Sequence, residues 1–175
     1  MYNAQIPLLG FAAASGTGKT TLLSQLIPLL KQNGLRIGVI KNSHHNFDID
    51  QPGKDSHQLR KAGAATVLLV SPYRRAIITE FTPIKEPCLA EQLKALDQSA
   101  LDLILVEGFK HEAFPKIELH RSTLNNPLLY TNDTTIIAIA SDIKLNIPNS
   151  LTLLDINQIQ TIAAFILNQF LNNHD

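Results

Sequence analysis

Short apolar runs alternate with stretches of helical periodicity along most of this chain. Residues 6–13 form a compact apolar run stopped by a glycine-rich turn, the pattern of a buried strand. From 19 to 33, Leu22, Leu23, Leu26, Ile27 and Leu30 recur at helical spacing, and Gly34 supplies the stop. Pro28 falls inside that helix and, lacking a backbone N–H, is expected to bend it. A second strand at 35–41 completes a β-α-β unit, for which a right-handed crossover is the rule. Residues 42–53 are polar, and 55–62 read as a short helix ending at Gly63. The β-branched and apolar runs 66–71 and 76–81, joined by Pro72-Tyr73-Arg74-Arg75, predict a hairpin. After a proline-punctuated loop, 88–96 reads as helix and 101–106, 116–120, 135–140 and 151–154 as strands. An amphipathic helix at 157–171 follows.

Strands alternating with helices predict an α/β fold: a mostly parallel twisted sheet with helices on both faces and an added antiparallel β-hairpin. At 175 residues a single domain with one sizeable core is the simplest organisation. Fifteen basic residues balance fifteen acidic ones, which removes the broad positive field that nucleic-acid binding draws on. One cysteine, Cys88, leaves no internal disulfide, fits a reducing compartment and is read as a packing residue. The apolar N-terminal stretch has no basic residues before it and passes straight into a glycine-rich loop, so it is not expected to be a signal peptide. No run approaches the roughly 18 apolar residues that span a bilayer. A cytoplasmic protein without membrane contact is expected.

The strongest chemical signal is Ala13-Ala14-Ser15-Gly16-Thr17-Gly18-Lys19-Thr20, placed after a predicted strand and opening a helix. Glycines at 16 and 18 let backbone N–H groups approach a phosphate, and the helix start adds its positive end. Lys19 can reach β- and γ-phosphates and the Thr20 hydroxyl can bind Mg²⁺. Ala13 replaces the usual first glycine, a departure that matters only if the position requires positive φ. The order strand, loop, helix marks a P-loop NTPase.

A second signal is Leu103-Ile104-Leu105-Val106-Glu107-Gly108, an apolar strand ending in a carboxylate. Asp102 and Glu107 compete to stand beside Mg²⁺, and five residues at about 3.3 Å each separate them by roughly 16 Å. Ligands bind at the carboxyl edge of open α/β sheets, which selects Glu107. Gly108 then lets a backbone N–H approach the γ-phosphate, and Lys110 adds charge. A third stretch, 42–50 followed by Pro52-Gly53-Lys54-Asp55-Ser56, starts at the same edge and suits a switch, with Asp48 or Asp55 reaching Mg²⁺ or its waters. Read differently, His44, His45, Asp48, Asp50 and His57 form a transition-metal site. His111 and His120 have no triad to join.

With these stretches together, the chain resembles the MobB family of molybdopterin-guanine dinucleotide biosynthesis adaptors. The likeness is carried by FAAASGTGKTTLL, the His-His-x-x-Asp-x-Asp run with PGKDSHQLRKAGAA, LDLILVEGFKHE and IAIASD. It implies a homodimeric GTP-binding protein with weak GTPase activity, assisting attachment of a guanine nucleotide to the molybdenum cofactor. It also implies contact with the molybdenum-cofactor guanylyltransferase, with other cofactor-assembly proteins and with molybdopterin itself. By motif, Ser15, Gly16, Thr17, Gly18, Lys19, Thr20 and Thr21 would hold phosphates and Mg²⁺. Gly53, Lys54, Asp55, Ser56, Glu107, Gly108, Phe109 and Lys110 would supply switch-like contacts, with Lys19, Glu107 and Asp55 closest to the chemistry. Metal ligands would be Thr20, Glu107 and Asp48. The Asn-Lys-x-Asp guanine signature is missing, and Asp142 after the 135–140 strand is the substitute candidate. Position 14 is Ala, so the signature lysine of related dimeric ATPases is missing too.

No residue pattern supplies a group to orient attacking water or an arginine finger, so slow hydrolysis is expected. The competing readings are a small-molecule kinase and a metallochaperone-type NTPase. A kinase lid would carry arginine, and Arg74-Arg75 lies on the hairpin turn. Val67, Leu68, Leu69, Ile77 and Ile78 are too apolar for a ribbon standing in water, which points the 66–81 hairpin at a second copy or back onto its own sheet.

Overall fold

A computed structural model describes residues 3–43 and 46–173. The chain divides into two compact units, residues 1–42 with 88–175 and residues 43–87.

The larger unit is built on six strands: β1 (Leu8–Ala12), β2 (Ile37–Lys41), β5 (Leu103–Glu107), β6 (Lys116–His120), β7 (Ile136–Ser141) and β8 (Thr152–Asp155). They lie in the order β2-β5-β1-β6-β7-β8, and every neighbouring pair is parallel. The hairpin forms a separate two-stranded sheet, so the main sheet is wholly rather than mostly parallel. Parallel strands covered on both faces are apolar throughout, and all five residues of β1 are buried. Helix α1 (Lys19–Gln32) runs through Pro28 and buries Leu22, Leu23, Leu26 and Leu30. Together with α4 (Ile159–Phe165) it covers the face carrying Leu9, Phe11, Leu103, Leu105, Ile117 and Leu119. Helix α3 (Leu89–Ala95) covers the other face, where Leu89 and Leu93 meet Leu8, Ile104, Val106, Phe109 and Phe114. Gly10 is required there: a Cβ at that position would stand 2.5 Å from the Phe114 ring.

Some boundaries move. The last helix starts at Ile159 because Asp155 accepts the Asn157 N–H and so caps a turn first. It then continues as a π-turn over Ile166–Phe170. Cys88 is exposed immediately before α3, so the packing role expected for it is wrong. Among the described residues, no helix is long and apolar enough to cross a membrane.

The smaller unit holds α2 (Asp55–Lys61) and the hairpin β3 (Thr66–Val70) and β4 (Arg75–Thr79). The turn begins one residue before the expected proline, because Ser71 N–H donates to the Arg74 carbonyl and Ser71 Oγ accepts the Tyr73 and Arg74 N–H groups. Leu68, Leu69, Val70 and Ile77 are exposed.

Candidate functional site

The loop between β1 and α1 has the backbone that phosphate binding needs. Gly16 and Gly18 sit at φ 79° and 94°, a region closed to most side chains. Gly18 caps α1 with no side-chain bond to the first turn, which leaves the helix N–H groups facing outwards. Thr17 is buried and donates to the Ala14 carbonyl at 2.9 Å, fixing the loop from inside. Ser15, Gly16, Thr20 and Thr21 are exposed at its rim. Lys19 curls over the loop and donates to the carbonyls of Ala13 and Ala14, both at 3.0 Å. Burial pushes its ammonium below the ordinary lysine value; the Glu107 charge opposes this, while Lys41 and Lys110 add to it.

Glu107 closes β5 at the same edge. The Thr20 hydroxyl donates to its carboxylate at 3.2 Å and 3.4 Å. Lys41, the last residue of β2, is paired in register with Glu107, and parallel neighbours put both side chains on one face. Its ammonium lies 3.0 Å from Glu107 Oε2 and 3.1 Å from Thr20 Oγ1. The carboxylate Asp102, the other contender for the metal, is at the opposite end of β5. It takes three N–H groups of Arg36, which hold it well below the usual carboxylate range, at about 2.

Residues 8–142 match the family described as molybdopterin guanine dinucleotide synthesis protein B, MobB. An Escherichia coli (strain K12) molybdopterin-guanine dinucleotide biosynthesis adapter protein is 50% identical over 93% of this chain and 92% of its own. The chain belongs to the MobB family. A Haemophilus influenzae adapter protein of the same name is 48% identical over 95% of this chain and 90% of its own. The crystal structure of a molybdopterin-guanine biosynthesis protein B superposes with a TM-score of 0.72 at 25% identity, covering 91% of this chain and 96% of that one. The parallel sheet, its helices and the separate antiparallel pair are therefore the family's architecture.

The remaining sequence candidates fall into distinct settings. Gly108, at φ 103°, and Phe109, at φ 52°, turn the chain sharply after β5. Phe109 is buried among Leu8, Leu89 and Val106, so its ring anchors the turn rather than facing the loop. Lys110 is exposed and, with Ala13, Ala14, Thr17, Glu118, His120 and Arg121, lines a pocket of about 170 Å³ beside the loop. Burial pushes the Glu118 carboxyl up, against the N–H groups of Leu129 and Tyr130 that it accepts. Asp142 gives both oxygens to Ser122, and the Ser122 N–H chiefly holds it below the ordinary carboxylate value.

In the smaller unit, Arg60 gathers carboxylates. Its guanidinium pairs with Asp48, with Asp50 at 3.3 Å and with Glu80 at 2.6 Å. Ser56, buried at the start of α2, donates to Asp50 at 2.8 Å. Gly53 has φ 86°, and Lys54 and Asp55 are exposed beside it. No group of three or more metal-ligating side chains forms among the described residues; His44 and His45 lie outside them. Sequence reasoning missed Lys41, Arg60 and Arg121, the last of which reaches the Thr17 carbonyl at 3.4 Å and Asn157 at 3.2 Å. For Lys41 there was a signal: a charged residue ending an apolar strand at the ligand-binding edge.

Proposed function

We propose that this chain is an adapter in molybdopterin-guanine dinucleotide biosynthesis that binds GTP with Mg²⁺ at the loop after β1 and hydrolyses it slowly. The observation that carries the reading is the convergence of Thr20 and Glu107 beside Lys19 and the glycine loop. The Escherichia coli and Haemophilus influenzae relatives are adapters of that biosynthesis, and their likeness extends over 93% and 95% of the chain. Their product carries guanine, which favours GTP over ATP.

Backbone N–H groups from Gly16 to Thr21 bind the phosphates, and Lys19 exchanges its two loop carbonyls for phosphate oxygens. Thr20 and Glu107 offer hard oxygen donors within 3.2 Å of one another, a set that suits Mg²⁺. When bound, the ion neutralises phosphate charge. Hydrolysis is slow on this reading because Lys19, Thr20 and Glu107 bind charge without activating water. Gly53 to Ser56, with Asp48, serve as the switch segment, and Asp142 is the side chain assigned to guanine. The partners are a second copy of the chain, the cofactor's guanylyltransferase and other cofactor-assembly proteins, with molybdopterin as a further ligand.

Calorimetric titration with GTP and ATP in Mg²⁺ tests the reading. GTP is expected to bind more tightly, and Lys19→Ala to weaken it by roughly 10- to 100-fold, the loss of one charge-assisted contact. Purified protein is expected to turn GTP over more slowly than about once per second. Faster turnover sinks the adapter reading, and equal affinity for ATP sinks the guanine preference.

A further inference from the structure

Lys41 lies outside the residues assigned to the nucleotide, yet its ammonium contacts both of the oxygen groups that the Mg²⁺ reading uses, which also bond one another. It is 3.1 Å from Thr20 Oγ1 and 3.0 Å from Glu107 Oε2. The placement is built in by the fold. Lys41 and Glu107 are direct partners in the β2–β5 register, and the Asn42 N–H donates to the Glu107 carbonyl at 2.8 Å. The two chain segments are thus locked where they leave the sheet.

We propose that Lys41 is an internal counter-cation that holds Thr20 and Glu107 together in the metal-free protein and yields its place when Mg²⁺ enters with the nucleotide. The inference rests on the proposed nucleotide site. An ammonium binds oxygen at about 2.7–3.2 Å, whereas Mg²⁺ requires oxygen at about 2.0–2.1 Å in octahedral array. Both cations cannot share one small oxygen cluster, so one must leave. Lys41 is able to: half its side chain is exposed, at 51%, against 13% for Glu107. Its four-carbon stem lets the charge move while the strand stays fixed.

The exchange has two consequences of opposite sign. With metal removed, Lys41 supplies positive charge beside the phosphates, so nucleotide still binds. With metal present, Lys41 competes for Glu107 and weakens Mg²⁺ binding. Removing the lysine therefore steepens the metal dependence from both sides.

The test compares Kd for a fluorescent GTP analogue in excess EDTA and in Mg²⁺, for the wild type and Lys41→Met. The ratio of the two constants is expected to rise at least about 10-fold in the variant, about 1.4 kcal/mol. Lys41→Arg, which keeps the charge, is expected to recover most of the metal-free binding. An unchanged ratio overturns the proposal, whether both affinities fall together or neither does, because a structural or general phosphate contact acts equally in both buffers. Should Lys41→Met fail to fold, as judged by circular dichroism, Lys41→Gln keeps the stem and removes the charge for the same readout. If the wild type binds no nucleotide in either buffer, the nucleotide site itself fails and this inference falls with it.

Discussion

Strands β2 and β5 carry an ion pair at each end, and the two pairs have different jobs. At the carboxyl edge Lys41 meets Glu107 beside the glycine loop. At the opposite edge Arg36 donates to Asp102 from its backbone N–H and from Nε and Nη2 of its guanidinium, at 2.7–2.9 Å. Only the second is free to act purely on stability. The Arg36 hydrogen bonds hold Asp102 at about 2 in the folded protein, against 3.8 ordinarily. A depressed carboxylate stabilises the fold above its unfolded value, and that contribution is lost as pH falls through the folded one. Asp102→Asn is therefore expected to lower Tm by roughly a few degrees at neutral pH. The gap should close as pH drops from 3.8 towards 2 and shrink in high salt, since the pair is largely exposed. A gap that stays constant from pH 7 to 2 would assign the loss to the side chain's shape instead of its charge.

At the scale of elements, the turn after β5 decides where Glu107 points. Gly108 sits at φ 103° and is packed so tightly that an added Cβ would lie 2.7 Å from the Asn42 Cβ. Phe109, also left-handed, is kept there by burying its ring against α3. Gly108→Ala is expected to cost about 1–3 kcal/mol in urea unfolding, because strain and a clash with the β2 exit act together. Its nucleotide affinity should fall as well. Unchanged stability would show that the turn relaxes without the glycine. This turn also marks the limit of what sequence could reveal. The glycine-rich loop was legible as a turn from strand to helix, because its glycines set local geometry within eight residues of chain. Glu107 was legible as the polar end of an apolar strand. Lys41 carried the same strand-end signal, but its partner was hidden, because the pairing lies in a register with a strand 66 residues away. Asp142 was read from its place after a strand, whereas its contact with Ser122 comes from the neighbouring strand's exit. Arg60 likewise collects Asp48, Asp50 and Glu80 from both sides of itself in sequence.

For the whole molecule, the open issue is what the hairpin is for. Leu68 pairs in register with Ile77, so their side chains share a face, and both are more than half exposed, at 57% and 59%. Val70 continues that face at 65%. A two-stranded ribbon has little stability of its own, and an apolar face on it is best covered by a second copy. On that reading the protein runs in light scattering at twice its 19.3 kDa chain mass. The double variant Leu68→Asp, Ile77→Asp should run at 19.3 kDa, because unpaired carboxylates on this face resist burial against a second copy. A wild-type protein already at 19.3 kDa at low micromolar concentration removes the second copy from the reading. The same variant separates assembly from binding. Lys19, Thr20, Lys41 and Glu107 all belong to one chain and meet within it. The monomer is therefore expected to hold nucleotide within a few-fold of the dimer. A loss of binding on dissociation would instead mean that the partner copy contributes a group to the phosphates.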